Sequence, residues 1–368
     1  MEGKVVVSEK AMWVLCVVLM SLCVGEVRAA PQVPCFFVFG DSLVDNGNNN
    51  AIASLARANY LPYGIDYPSG PTGRFSNGLT SIDVIGKLLG FNGSPPPFSS
   101  ARGRTILTGV NYASAAAGIR EETGRNLGAR ISFSGQLNNF QTTIAQLGQF
   151  LGGADATASY LGQCVYSVGM GSNDYLNNYF MPLYYITSRQ YTPQQYADIL
   201  IQQYSQQLRT LYNSGGRKIA LTGLGEIGCS PYELARGSSN GVTCVSNINV
   251  AVRIFNDKVK SLVDDLNNNL PGAKFIFINA YGIFNDITAN KASYGIKVTN
   301  RGCCGVGRNN GQITCLPLQI PCPNRKEYLF WDAFHPSEIA NVFYGRRAYS
   351  AKSSSDAYPY DFQRLANA

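Results

Sequence analysis

The chain has 368 residues, 45% of them apolar and 14% charged, with a formal net charge of +7. Its cations are scattered, with short pairs such as Arg217-Lys218, Arg325-Lys326 and Arg346-Arg347 but no basic stripe, so a nucleic-acid partner is not expected. No run beyond residue 24 has 18 unbroken apolar residues, so no membrane span is expected either.

Residues 1–29 read as a signal peptide. Lys4 and Lys10 precede the apolar run Ala11 to Val24, and Val27 and Ala29 stand where signal peptidase wants small residues. The run is shorter than the roughly 20 residues that span a bilayer. Cleavage after Ala29 leaves an exported chain, expected to fold as a single domain over residues 30–368.

Downstream, short apolar runs alternate with helical patterns. Pro34 to Phe39 predicts a buried strand ending at Gly40, and Ser81 to Leu89 a helix. Gln136 to Leu151 has helical spacing, Cys164 to Val168 reads as a second strand, and Pro193 to Tyr212 as a long helix. Arg217 to Leu221 is a third strand, Asn247 to Leu266 a helix, and Lys274 to Ile278 a fourth strand. A last helix is expected over Pro336 to Tyr349. Such alternation predicts an α/β fold: a parallel sheet with helices on both faces, its functional residues beyond the carboxyl ends of the strands. Gly223 to Gly228 spells a dinucleotide-type glycine motif, but late in the chain, with Pro231 set against a helix opening on the turn.

Removal of the leader leaves Cys35, Cys164, Cys229, Cys244, Cys303, Cys304, Cys315 and Cys322. An even count in an exported chain predicts disulfides. Short separations favour Cys229 with Cys244, and Cys303 and Cys304 with Cys315 and Cys322 in either order. Cys35 and Cys164 either pair or stay as buried thiols. Adjacent cysteines are poor tetrahedral chelators, and no C-x₂-C pair is present, so no metal site is expected.

The chain has one histidine, His335, three residues after Asp332 and directly before Pro336. Proline suits the first position of a helix and keeps the preceding residue out of the helical region. His335 is therefore expected in a loop at a helix start, with Asp332 near enough to hold one ring nitrogen. The other nitrogen is then free to take a proton from a hydroxyl nucleophile. Ser42, after a buried strand and Gly40-Asp41, is the candidate. No G-x-S-x-G elbow is present, so a serine hydrolase here needs another architecture.

Phe37 to Asn50 (FVFGDSLVDNGNNN) resembles the first block of the GDSL esterase/lipase family, within the SGNH hydrolase superfamily. Gly109 to Ile119 resembles its glycine block, Val168 to Tyr175 its G-x-N-D block, and Asp332 to Glu338 its D-x-x-H block. Thr72 to Gly78 and Ile227 to Pro231 resemble the plant branch. The resemblance implies a three-layer α/β/α, flavodoxin-like fold. It also implies a secreted esterase or lipase of the apoplast or cell wall, working on carboxylic esters without a cofactor. Ser42 would be the nucleophile, His335 the base and Asp332 its orienter. The Ser42 and Gly118 N–H groups and the Asn173 amide would form the oxyanion hole. Acyl transfer to an alcohol and wall binding without catalysis are the other functions this resemblance leaves open, as it does the oligomeric state.

Overall fold

The computed structural model describes residues 30–368; the expected signal peptide, residues 1–29, lies outside them. Four parallel strands form the centre: β1 (Phe36–Gly40), β2 (Val165–Gly169), β3 (Lys218–Thr222) and β4 (Lys274–Ile278), in that spatial order. They are buried on both faces, so they read as near-continuous apolar runs rather than as alternating ones.

The longer helices are α1 (Ser81–Leu88), α2 (Phe133–Leu151), α3 (Ala154–Gln163), α4 (Pro193–Asn213), α5 (Ser246–Asn269), α6 (Ala280–Ala289) and α7 (Glu338–Tyr349); shorter ones include Pro231–Gly237 and Phe362–Asn367. Side chains alternate across a strand, and the core divides accordingly. Phe37, Phe39, Tyr166, Val168 and Phe277 pack against α2, α3, α4 and α5. Phe36, Val38, Val165, Ala220 and Ile276 pack against α1, α6, α7 and the C-terminal helical turn. The result is the expected α/β/α sandwich.

The edges of this sheet were not legible in the sequence. Beyond β1, residues 110–114 run alongside as an irregular parallel edge: Val38 N–H donates to Val110 O (3.1 Å), and Tyr112 N–H donates to Val38 O (2.8 Å). This glycine block carries polar and small residues, so it lacks a strand signature. It makes β1 an interior strand, with chain leaving to opposite sides at its carboxyl end, which is the topological switch point of a doubly wound sheet. At the far edge, the two-residue β7 (Ala357–Tyr358) pairs antiparallel with β4. A separate parallel pair, β5 (Val298–Gly302) with β6 (Tyr328–Phe330), lies outside the main sheet.

The eight cysteines pair as Cys35–Cys164, Cys229–Cys244, Cys303–Cys322 and Cys304–Cys315. One expectation needs correcting. The helix expected from Pro336 begins at Glu338 with Ser337 as its N-cap, and it is not the last, since a short helix at Phe362–Asn367 follows. Pro336 is instead bridged antiparallel to Phe330, and Ser337 Oγ donates to Tyr328 O (2.6 Å). The residues after His335 thus belong to the edge of β6, and extended backbone there wins over proline's fitness for a helix start.

Candidate active site

Ser42 stands two residues past Gly40, the end of β1. Gly40 is clamped by Gln136 of α2, whose Oε1 accepts from Gly40 N–H (3.0 Å) and whose Nε2 donates to Gly40 O (2.8 Å). A side chain at Gly40 would come within 2.5 Å of Val44, which explains the glycine. Asp41 then closes a tight turn. Its carbonyl accepts from Val44 and Asp45 N–H, and its carboxylate accepts from Leu43 N–H (3.0 Å). Ser42 rides on that turn, half-buried.

His335 and Asp332 come from the far end of the chain, in the turn after β6. Trp331 N–H donates to His335 O (2.8 Å), closing the turn. Ser42 Oγ lies 2.8 Å from His335 Nε2. His335 Nδ1 lies 2.8 Å from both Asp332 oxygens. Asp332 Oδ1 also accepts from Phe334 N–H (2.9 Å) and His335 N–H (2.8 Å), and Oδ2 accepts from Tyr63 Oη (2.5 Å). Phe75 lies against the imidazole, with ring centres 4.9 Å apart. Burial by itself raises the Asp332 carboxyl. The charge and hydrogen bond of His335, with Tyr63 and Phe334 N–H, outweigh it and hold the carboxyl below its ordinary value.

Asn173 follows Gly171, whose φ of 125° is open to glycine but rarely to other residues. Its Nδ2 donates to Ala117 O (3.0 Å) and, over a longer 3.3 Å, to Asp41 Oδ2. Asn177 Nδ2 donates to Asn173 Oδ1 (2.7 Å), which fixes the amide's orientation. Asp41 is buried, and that burial raises its carboxyl to about 6, against lowering by Leu43 N–H and by His335.

Gly118 lies where a Cβ would meet Thr123 at 2.5 Å and the Asp174 carboxylate at 2.7 Å. Asp174 accepts from Ile119 N–H (2.8 Å), Arg120 N–H (3.0 Å) and Thr123 Oγ1 (2.8 Å), so it pins the segment after Gly118. Ala116, in the same block, has φ 66°, a left-handed backbone uncommon outside glycine, asparagine and aspartate. Among the described residues, the backbone N–H groups of Ser42, Ala116 and Gly118 have no protein acceptor.

Thus Ser42, Asp332 and His335 are in direct hydrogen-bond sequence. Asn173 reaches the same turn through Asp41. Tyr63, Phe75, Asp41, Asp174 and Ala116 are the residues that sequence reasoning missed. An aromatic or an aspartate in a loop has no signature of its own.

The GDSL-like lipase/acylhydrolase family profile matches residues 36–347. Two GDSL esterase/lipases of Arabidopsis thaliana are similar over nearly the whole chain. One is 65% identical over 355 residues, covering 95% of this chain and 97% of its own length. The other is 62% identical over 356 residues, covering 96% and 99%.

Proposed function

The chain belongs to the GDSL-like lipase/acylhydrolase family and is a carboxylic ester hydrolase, and within that activity we propose a secreted serine esterase or lipase that works through an acyl-Ser42 intermediate. The observation that carries this reading is the unbroken hydrogen-bond sequence from Ser42 Oγ through His335 to Asp332.

In this mechanism, His335 Nε2 takes the Ser42 proton as Oγ attacks the ester carbonyl. The Asp332 carboxylate stabilises the imidazolium and keeps Nδ1 as the donor toward it. The tetrahedral oxygen is met by the Ser42 and Gly118 N–H groups and by Asn173 Nδ2, which exchanges its long contact with Asp41 for the oxyanion. Collapse expels the alcohol, which receives the proton from His335. Water then attacks the acyl-serine, with His335 again as base, and releases the acid. Every step uses side chains and backbone of this chain, with no cofactor.

Secretion is supported by the pattern of residues 1–29 and by the four disulfides, which persist in oxidising compartments. Residues 30–368 are proposed to act as one hydrolase domain.

The test is labelling of the secreted protein with a fluorophosphonate, followed by peptide mapping. Label on Ser42, with its loss in Ser42→Ala and a fall in ester hydrolysis of several orders of magnitude, is the expected outcome. A Ser42→Ala variant that is secreted normally and keeps most of its activity removes the proposal.

A further inference from the structure

Large apolar side chains left in water are gathered on one set of loops. Among the described residues, all of them except Leu43, Phe150 and Val250 lie within residues 51–65, 180–191, 230–245 and 303–322. Leu183, Leu318 and Ile320 are 90%, 81% and 91% exposed. These loops are tied to one another and to the turn that carries His335. Leu318 N–H donates to Leu61 O (2.8 Å), and Tyr60 Oη donates to Cys315 O (2.9 Å). Leu55 N–H donates to Leu127 O (2.8 Å), and the adjoining Asn126 N–H donates to Tyr185 Oη (3.3 Å). Tyr232 packs on Phe334, the residue before His335, with ring centres 4.5 Å apart, and its backbone lies against Gly311.

Single apolar side chains are ordinary on a protein surface, whereas a gathered group of them marks a docking site. This group is held open. Leu318 has a φ of 61°, a left-handed backbone that a bulky residue rarely adopts, and the side chain so presented stands in water. The Cys304–Cys315 and Cys303–Cys322 bridges anchor residues 316–321 at both ends.

Charge points to the occupant. The four segments carry Arg57, Arg189, Arg236 and Arg308, no lysine, and one carboxylate, Glu233, which is buried. Asp66, next along the chain, is paired with Arg325, and Glu122 with Arg120. Apolar tips set among arginines suit a surface that is hydrocarbon within and anionic at its face. A second copy of this chain would instead set arginines against arginines.

We propose that these loops form a docking face for an anionic lipid surface, in which Leu183, Leu318 and Ile320 enter between the headgroups and the arginines meet the lipid phosphates. Docking needs no chemistry at Ser42, so it stands apart from the acyl-serine mechanism.

The experiment is co-sedimentation of secreted Ser42→Ala protein, which spares the lipid, with phosphatidylcholine vesicles made with and without phosphatidylglycerol. Binding is at least tenfold tighter to the anionic vesicles and weakens as salt rises, since each arginine near the surface contributes about fivefold. Leu318→Ser with Ile320→Ser, added to that protein, weakens binding at least tenfold. Arg189→Gln with Arg236→Gln, an independent variant, weakens it on anionic vesicles alone. Circular dichroism checks the fold of each. Absence of binding, equal binding to both vesicle types, or unchanged binding in the folded Leu318→Ser, Ile320→Ser protein overturns the proposal. A dimer that forms with rising protein concentration, that this double variant disperses and that binds no vesicles assigns the face to a second copy and overturns it as well.

Discussion

Asp332 has no access to solvent, yet its carboxyl is held below its ordinary value. The phenol of Tyr63 is its fourth donor, after His335 Nδ1 and two backbone N–H groups, and it holds Oδ2 from a buried aromatic cluster with Phe75 and Trp331. Burial, then the Asp332 charge, pushes the Tyr63 hydroxyl well above its ordinary value, so it remains a donor at any working pH. Tyr63→Phe keeps the packing and removes one charge-assisted hydrogen bond, a loss on the order of 1.5–3 kcal/mol in the charged carboxylate's favour. The expected result is a fall of about tenfold in kcat for a soluble ester with KM nearly constant, since the bond acts through the base rather than on the substrate. A KM change with constant kcat would place Tyr63 in substrate binding instead. Asn173→Ala removes one oxyanion donor and should cost roughly 10²- to 10³-fold in kcat. Steady-state kinetics with circular dichroism as a folding control checks both.

Among the elements, β6 and the turn after it carry Asp332 and His335, and they are held by chain that is itself cross-linked. Cys303 N–H donates to Phe330 O (3.1 Å) and Cys304 N–H donates to Trp331 O (2.8 Å), while Cys304–Cys315 and Cys303–Cys322 close the segment on itself. Cys35–Cys164 does different work. It joins the residues just before β1 and β2, at the amino ends of the two strands that lead to Ser42 and Asn173, over a separation of 129 residues. In the chain-entropy view a cross-link stabilises more as the loop it closes grows. Cys35→Ala with Cys164→Ala should therefore lower unfolding free energy by about 5 kcal/mol, and Cys304→Ala with Cys315→Ala, 11 residues apart, by about 3 kcal/mol. Urea titration compares the two. The short-loop pair should cost more activity per unit of stability lost, because it borders Trp331 and Asp332.

For the whole molecule, three carboxylates are folded into the interior with no salt bridge to an arginine or lysine among the described residues. Burial raises Asp41, Asp45 and Asp174 each to about 6 from the ordinary value of 3.8, against the backbone N–H groups that lower them. Between about pH 4 and pH 6 the folded chain therefore binds more protons than the unfolded chain, and stability falls as pH rises through that window. Asp332 and Asp66 are lowered instead, the latter chiefly by its hydrogen bond from Arg325, so what they contribute is complete above the ordinary carboxylate value and is lost only in stronger acid. The expected outcome is a Tm that is higher at pH 5 than at pH 7, with a shallower slope in Asp45→Asn. Melting curves between pH 4 and pH 8 check it, and a Tm that climbs from pH 5 to pH 7 contradicts it. A mildly acidic solution is where such a protein is best kept folded.

The four central strands, the long helices and the Ser42, Asp332 and His335 candidates were readable from the chain because their signals are local. A doubly buried strand must be a short apolar run, and α4 announces itself with Thr192 capping, Pro193 at its first turn and Gln195 closing the box. A single histidine three residues from an aspartate needs no fold to be noticed. The start of α7, the edge made by residues 110–114, the partners of Cys303 and Cys304 and Tyr63 behind Asp332 were not readable. Each depends on which distant segment arrives alongside: Phe330 decides Pro336, Val38 decides Val110, and 269 residues separate Tyr63 from its carboxylate. Local sequence sets backbone preference and polarity, whereas close packing sets proximity, and the approach of His335 to Ser42 and of Tyr63 to Asp332 is a matter of proximity alone.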